Sequence, residues 1–543
     1  MHTRVVIVGA GPTGLALAIE LGSRGIPCVV VERNDRVGYA PRAKTTNVRT
    51  REHLRRWGIA DKLAAVSPLG LDYPSHVLFV TRLAGPLLAK FENALDCSPG
   101  RNAHYSEHGQ WIPQYLLEEV LRSHAQSLPD VTVCFSSELS SFAQDATGVR
   151  AQVRDIVTGE THCISSEFLV GADGARSSVR NAIGAKMEGQ YGLSRNYNVV
   201  FRAPGLAAAH RHGPAIMYWQ VNADVPSLIG PMDDNDRWFF MPTAVPDGFQ
   251  LNKEEAASLI RRATGIDLDY EILSTDEWLA SRLIADRYRD RRVLLAGDAC
   301  HLHPPMGGYG MNMGIADGVD LGWKLAAVLQ GWGGEGLLAS YEAERRPVHD
   351  FVMNEAVANH ATLSGHLLRD GIEDASAAGV QVRREAGEQI RHMKAREFMN
   401  TRVVLGYHYE GSSLVAPDEV EQARAAPGDG YAPCARPGHL APHVWLEDRA
   451  SLYDGFGQGY TLLITGPANE GALLDDEQRT VEAARRDAEI AGVPVVTLAP
   501  RHADLPDLYQ ARYALIRPDQ HVAWRGDAWP ANGVALLRRV SGQ

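Results

Sequence analysis

Residues 304–314 read Pro304-Pro305-Met306-Gly307-Gly308-Tyr309-Gly310-Met311-Asn312-Met313-Gly314, shortly after Gly297-Asp298-Ala299 and running into an amphipathic helical stretch. Pro304 and Pro305 stiffen the approach, and Gly307, Gly308 and Gly310 let the backbone pass close to a flat object. A helix opening near Met311 points its unpaired N–H groups and positive dipole end at that object. Such an arrangement suits a ring that becomes anionic on reduction. A flavin fits, because its pyrimidine edge gains negative charge when reduced.

The elements that must hold this segment begin at the N-terminus. Arg4-Val5-Val6-Ile7-Val8 is a β-branched apolar run of the kind found in a buried parallel strand. Gly9-Ala10-Gly11-Pro12-Thr13-Gly14 follows, then a helical stretch to about residue 25 and a second apolar run, Cys28-Val29-Val30-Val31, ending in Glu32. This is a βαβ unit with a dinucleotide fingerprint. Gly9 permits the turn, Gly11 lets the backbone approach a pyrophosphate, and Gly14 lets helix and strand pack. Glu32 stands where a carboxylate accepts from a ribose diol. Arg33 lies beside the adenosine or is solvated.

The fingerprint alone does not separate FAD from NAD. Two further motifs do: the strand-turn Phe168-Leu169-Val170-Gly171-Ala172-Asp173-Gly174, and the strand Arg291-Arg292-Val293-Leu294-Leu295-Ala296 ending in Gly297-Asp298-Ala299. With all three motifs in order, the chain resembles the single-component, class A FAD-dependent aromatic hydroxylases over about residues 1–400, and more weakly beyond. The likeness is to the phenol-hydroxylase and polyketide-hydroxylase branch, which adds a C-terminal domain. The Trp-x-Trp-x-Ile-Pro of flavin halogenases and any CxxC are missing from the sequence.

The resemblance implies roles for matching positions. Gly9, Gly11, Gly14 and Glu32 match the ADP-binding half of FAD, and Arg42 matches an arginine near the cofactor. Gln114 matches a glutamine that holds the flavin side chain. Asp173 matches the turn serving the FAD pyrophosphate and NAD(P)H, and Asp298 the aspartate that contacts the ribityl chain. Pro305 and the backbone at Gly310, Met311 and Asn312 match the flavin-facing loop. Where the family usually has Gly-Gln-Gly-Met-Asn, this chain has Tyr309 in place of the glutamine, which puts an aromatic ring near the flavin face. The implied activity is hydroxylation of a phenolic or other electron-rich ring with NADPH or NADH and O₂, by way of a flavin C4a-hydroperoxide. Baeyer–Villiger or antibiotic-modifying monooxygenation on the same scaffold, and a non-catalytic flavin-binding scaffold, are the alternatives. No side chain is singled out as a catalytic base.

The implied fold is α/β. It comprises a Rossmann-like FAD-binding domain in two parts (residues 1–185 and 286–399, the latter with long helices), an antiparallel-sheet substrate domain (186–285) and a thioredoxin-like C-terminal domain (400–543). Ile216-Met217-Tyr218-Trp219-Gln220-Val221 and Arg237-Trp238-Phe239-Phe240-Met241 read as antiparallel strands rich in large aromatics. Met217, Trp219 and Val221 share one face. Trp219 and Trp238 either line an aromatic pocket or pack the sheet, and Tyr309 joins them as a substrate candidate.

Composition excludes several classes. The 543 residues carry 54 Lys+Arg against 66 Asp+Glu, a formal charge of −12, without the basic stripe a nucleic acid would need. No 18-residue apolar run calls for a membrane span. Met1 leads straight into the first strand, so no signal peptide is expected. The six cysteines are scattered without metal or disulfide spacing, pointing to reduced thiols and a cytoplasmic setting. His301 and His303 read as hydrogen-bonded loop histidines, and no metal is expected. The expected partners are a small aromatic substrate and O₂, and the reading leaves room for a homodimer.

Overall fold

The structure, a computed structural model, describes residues 1–35, 43–243, 245, 248–409, 411–418, 430–447, 450–466, 474–500 and 502–543. Four consecutive β-branched residues, Val5–Val8, are buried on both faces and therefore form the middle of a parallel sheet. The six strands run in the order Arg289–Asp290, Val293–Leu295, Phe168–Gly171, Val5–Val8, Cys28–Val31, Val131–Cys134. All neighbours are parallel except the short Arg289–Asp290 edge. Val8 pairs with both Val31 and Gly171, and Gly171 with Leu295. The carboxyl ends of four strands therefore finish level, and the turns after them share one edge of the sheet. The order reverses around Val5–Val8, the place where open α/β sheets bind ligands.

Helix Pro12–Gly22 leaves this edge, and helix Tyr309–Leu329 packs along it. Gly314, Gly318 and Gly322 recur every four residues and so line one face. A Cβ on Gly314 would lie 2.4 Å from Thr13 Oγ1, on Gly318 2.8 Å from Thr13 O, and on Gly322 2.6 Å from Glu20 Cγ. The contacts ascend together along both helices, so the helices are parallel and their N-termini open toward the same edge. The second helix starts about one turn further out, roughly 5 Å.

An eight-stranded sheet forms the facing wall, in the order His301–Leu302, Glu271–Ala285, Met187–Arg202, Arg237–Pro242, Ser227–Pro231, Met217–Gln220, Val77–Val80, Leu87–Phe91. It is not one stretch of chain: Val77–Val80 and Leu87–Phe91 come from before residue 185, and His301–Leu302 from after 285. One face is covered by helix Lys253–Thr264, and the other meets Met306 and helix Ala377–Phe398.

The C-terminal unit is a four-stranded sheet ordered Val495–Leu498, Tyr460–Ile464, Tyr513–Ile516, Val522–Gly526, with helix Asp475–Ala491 crossing between the first parallel pair. This is a thioredoxin-like arrangement. It docks through buried charges: Arg517 donates to Glu344 at 2.7 and 2.8 Å and to Asp519 at 2.8 Å. Lys324 donates to the same Glu344 at 2.6 Å and to Asp320 at 2.8 Å. Arg49, near the cleft, donates to the Asp519 carbonyl at 2.8 Å.

Candidate active site

The four strand ends and two helix ends converge on one cleft. Gly9 has φ +106°, and a Cβ there would lie 2.4 Å from the Ala172 carbonyl oxygen, so the first turn is pressed against the Asp173 turn. A Cβ on Gly14 would meet the Gly9 carbonyl at 2.0 Å. Gly11 differs: nothing lies within 4 Å of its would-be Cβ. It caps helix Pro12–Gly22 with no side-chain partner for the first amides. Open space over a helix N-terminus is what a pyrophosphate requires.

Around that space stand the acidic groups. Glu32 accepts from the Ala10 amide at 2.8 Å and the Asn34 amide at 2.9 Å, which fixes its carboxylate at the end of the second strand. Arg33 next to it is exposed. Asp298 is exposed in the single turn Gly297–Ala299, while its neighbours are buried. Asp173 is used within its own turn: it accepts from the amides of Ser178 and Val179 at 2.7 and 3.2 Å and from the hydroxyls of Ser177 and Ser178. It ties down the first amides of the following helix Ser178–Ala182, whose N-cap is Ser177. Arg180 ties the two motif turns together, donating to Ala299 O at 3.1 Å and Ala175 O at 3.0 Å.

The 304–314 segment is held from beneath by Asn312. Its Nδ2 donates to Thr45 O at 2.9 Å and Gly308 O at 2.7 Å, and its Oδ1 accepts from Asn47 N at 3.0 Å. The side chain is 2 % exposed, so it pins the glycine loop to the strand Thr45–Thr46 while the amides of the first helical turn stay at the cleft. The helix begins at Tyr309, two residues before Met311, behind Gly308 at φ +67°. Pro305, Gly310 and Met311 are half-buried on this rim. Gln114 opens helix Gln114–Ser127, its amide donating to Ala43 O at 2.9 Å and its side chain to Glu118 at 2.6 Å. Arg42 lies outside the described residues.

Asp317 anchors the turn carrying Asp298. Fully buried, it accepts from the Gly297 amide at 3.0 Å, His301 Nε2 at 2.8 Å, Arg345 Nε at 2.8 Å and His349 Nε2 at 2.9 Å. These positive and hydrogen-bonding partners outweigh its burial and hold its carboxyl well below the usual range. Burial pushes His349 down to about 3, so it donates to Asp317 as a neutral ring. Burial also holds His303 well below the usual histidine range. His301 is the hydrogen-bonded loop histidine expected; His303 is not. Both His303 ring nitrogens are buried without a partner among the described residues, and its Cβ lies beside Gly310.

The substrate-side assignments are revised by the sheet. Met217 and Trp219 lie on the face that meets Met306, but Trp219 is 1 % exposed, stacked 5.2 Å from Phe79 beneath Lys394. It packs the wall. Trp238 is on the opposite face, against Tyr218 and the layer covered by helix Lys253–Thr264. Strand alternation instead places Phe239, itself 3 % exposed, and the half-buried Met241 on the cleft side. Tyr309 points inward, 2 % exposed among Val348, Val352 and Met313; its ring fills the space a side chain at Gly307 would need. Sequence reasoning missed Phe239, Trp111 and Lys44, which meet where the two walls come together. The Trp111 and Phe239 rings are 6.2 Å apart, and Lys44 Nζ sits 4.2 Å above Phe239. Lys44 carries no periodicity signal, since it stands in a loop.

This geometry can hold an extended dinucleotide. The open space over Gly11, the carboxylates of Glu32 and Asp298 and the backbone of residues 307–311 line the cleft. Residues 2–356 match the FAD binding domain family, and residues 434–543 match the aromatic-ring hydroxylase C-terminal family. A putative polyketide hydroxylase of Streptomyces halstedii is 32% identical, covering 96% of this chain and 93% of its own length. A 4-methyl-5-nitrocatechol 5-monooxygenase of Burkholderia sp is also 32% identical, over 96% of this chain and 93% of its own. The rebeccamycin biosynthetic enzyme RebC, solved with reduced flavin, superposes with a TM-score of 0.89 at 33% identity, over 100% of this chain and 99% of that one. The chain belongs to the FAD-dependent aromatic-ring hydroxylases, which are flavoprotein monooxygenases. Among the described residues no helix is long and apolar enough to cross a membrane.

Proposed function

We propose that the protein hydroxylates a phenolic or comparably electron-rich aromatic ring, with NADPH or NADH and O₂ as co-substrates. The observation that carries this reading is the pairing of walls. One wall is a dinucleotide cradle with two helix N-termini aimed into it. The other is an apolar, aromatic sheet face containing Phe239 and Met241, joined to the cradle at Lys44 and Trp111. Bound FAD supplies reducing equivalents from the nicotinamide and activates dioxygen. The chain's own residues bind, orient and exclude water. The amides at the start of helix Tyr309–Leu329 favour negative charge at the ring edge they face. The apolar sheet face keeps solvent from the ring to be oxidised. The rigid Asp317 hub keeps the Asp298 turn and His301 in register with the helix. The names of the relatives, a polyketide hydroxylase and a nitrocatechol monooxygenase, support a ring bearing a hydroxyl group. The purified protein should be yellow with FAD released by acid, and its NAD(P)H oxidation should be stimulated by phenols. Oxidation indifferent to every phenol or polycyclic phenol offered would overturn the reading.

A further inference from the structure

Lys44 is placed by its backbone and left over by every other structural need. Its carbonyl accepts from Ile112 N at 2.7 Å, and the next residue, Thr45, pairs with Trp111 across the short ladder Thr45–Thr46/Gln110–Trp111. The Thr45 carbonyl in turn accepts from Asn312. The root of the side chain is therefore fixed both to the glycine loop and to the aromatic wall. Its half-buried stem carries Nζ to 4.2 Å above the Phe239 ring. No carboxylate among the described residues pairs with it, although the chain has twelve more acidic than basic residues. A lysine sunk this far between two walls is ordinarily paired. Burial pulls this ammonium down to about 8, and the described residues supply no counter-ion. The ring beneath it belongs to the sheet face rather than to the dinucleotide cradle. Trp111 beside it also lines a pocket with Tyr73, Gln110 and Ile216.

We propose that Lys44 is the anion-recognising residue of the substrate pocket, and that the ring to be hydroxylated is bound as a phenolate whose oxygen rests on Nζ beside Phe239 and Trp111. The substrate class is then phenols acidic enough to ionise near neutral pH, the proton having passed to solvent before binding. A phenolate is also a better electron donor than the phenol, so the contact that selects the anion presents the more reactive ring. The inference rests on the hydroxylase reading above.

The test uses the FAD-loaded enzyme with two probes, 4-nitrophenol, which ionises, and 4-nitroanisole, which has the same ring and cannot. Difference spectra give each Kd and show directly whether bound 4-nitrophenol is the phenolate. The wild type should bind 4-nitrophenol as phenolate and more tightly than 4-nitroanisole. Lys44→Met keeps the aliphatic stem over Phe239 and should weaken 4-nitrophenol by about 10- to 150-fold, as loss of a charged hydrogen bond predicts. Its 4-nitroanisole and FAD affinities should be unchanged, and Lys44→Arg should restore the phenolate spectrum. Equal weakening of both probes, an unchanged 4-nitrophenol Kd, or loss of FAD from Lys44→Met would overturn the proposal. FAD loss would assign the cation to the cofactor instead. A wild type that binds neither probe and oxidises NAD(P)H without response to phenols would overturn the hydroxylase reading, and this proposal with it.

Discussion

At the scale of single residues, the cleft separates side chains that act on a ligand from those that build the wall. Asp298 is exposed between buried neighbours, so its carboxylate costs little to present and adds little to packing. Asp298→Ala should weaken FAD by about 10- to 150-fold, the value of one charged hydrogen bond of about 1.5–3 kcal/mol. The melting temperature of the apo-protein should hardly move, and titrating FAD into apo-protein alongside a thermal melt checks both. Asp317, with four donors and no exposure, should behave oppositely. Asp317→Asn leaves Arg345 without its buried counter-charge, and the fold itself should weaken by about 3–5 kcal/mol.

At the scale of elements, the site depends on two parallel helices that touch through glycine. Gly318→Ala would place a Cβ 2.8 Å from Thr13 O and 2.9 Å from Leu17 N, both backbone atoms, so the helices must part. The expected cost is about 1–3 kcal/mol of stability, together with weaker FAD binding because the two N-termini lose their spacing. Gly11→Ala meets nothing within 4 Å and needs no unusual backbone. It should leave apo stability nearly unchanged while lowering FAD affinity, by filling the space over the helix end. Urea unfolding and FAD titration of both variants separate packing from ligand approach. Equal losses of apo stability in the two would refute the division.

At the scale of the whole molecule, the C-terminal domain is welded on by charge. Arg517 is fully buried and bridges Glu344 and Asp519, while Trp323 of the cofactor helix packs in one cluster with Tyr460 and Leu462. Arg517→Met should cost about 3–5 kcal/mol, because Asp519 keeps no guanidinium and Glu344 keeps only Lys324 as a counter-charge. A truncation near residue 400 should bind FAD only weakly and aggregate, which size-exclusion chromatography with flavin absorbance would show. Acid should act on the same core. His349 and His443 are held neutral by burial, down to about 3 and about 4. In the unfolded chain they take up protons below about 6.5. Their contribution is therefore complete above that pH and falls by about 1.4 kcal/mol per unit for each histidine as pH drops below it. Asp320, raised to about 6 by burial, offsets part of this by binding its proton more readily in the fold. Stability should drop by about 2–4 kcal/mol between pH 7 and pH 5, measurable as a lower urea midpoint.

The cofactor half was legible in the sequence because its demands are local. A turn that needs φ +106° at Gly9, an approach that needs open space at Gly11, and an acid at the end of an apolar strand are written within a few residues of one another. The substrate half was decided by tertiary structure. Alternation along Met217–Gln220 and Arg237–Pro242 defines two faces for each strand, but only the docking of helix Lys253–Thr264 makes one of them core. That docking buries Trp238 and turns Phe239 toward the cleft. Tyr309 reads as a flavin neighbour until the helix around it shows its ring filling the layer beneath Gly307. Lys44 has no local signature. Its chemistry arises from burial beside residues more than sixty positions away in sequence, and the cost of removing water from a charge exists only once the chain has closed around it.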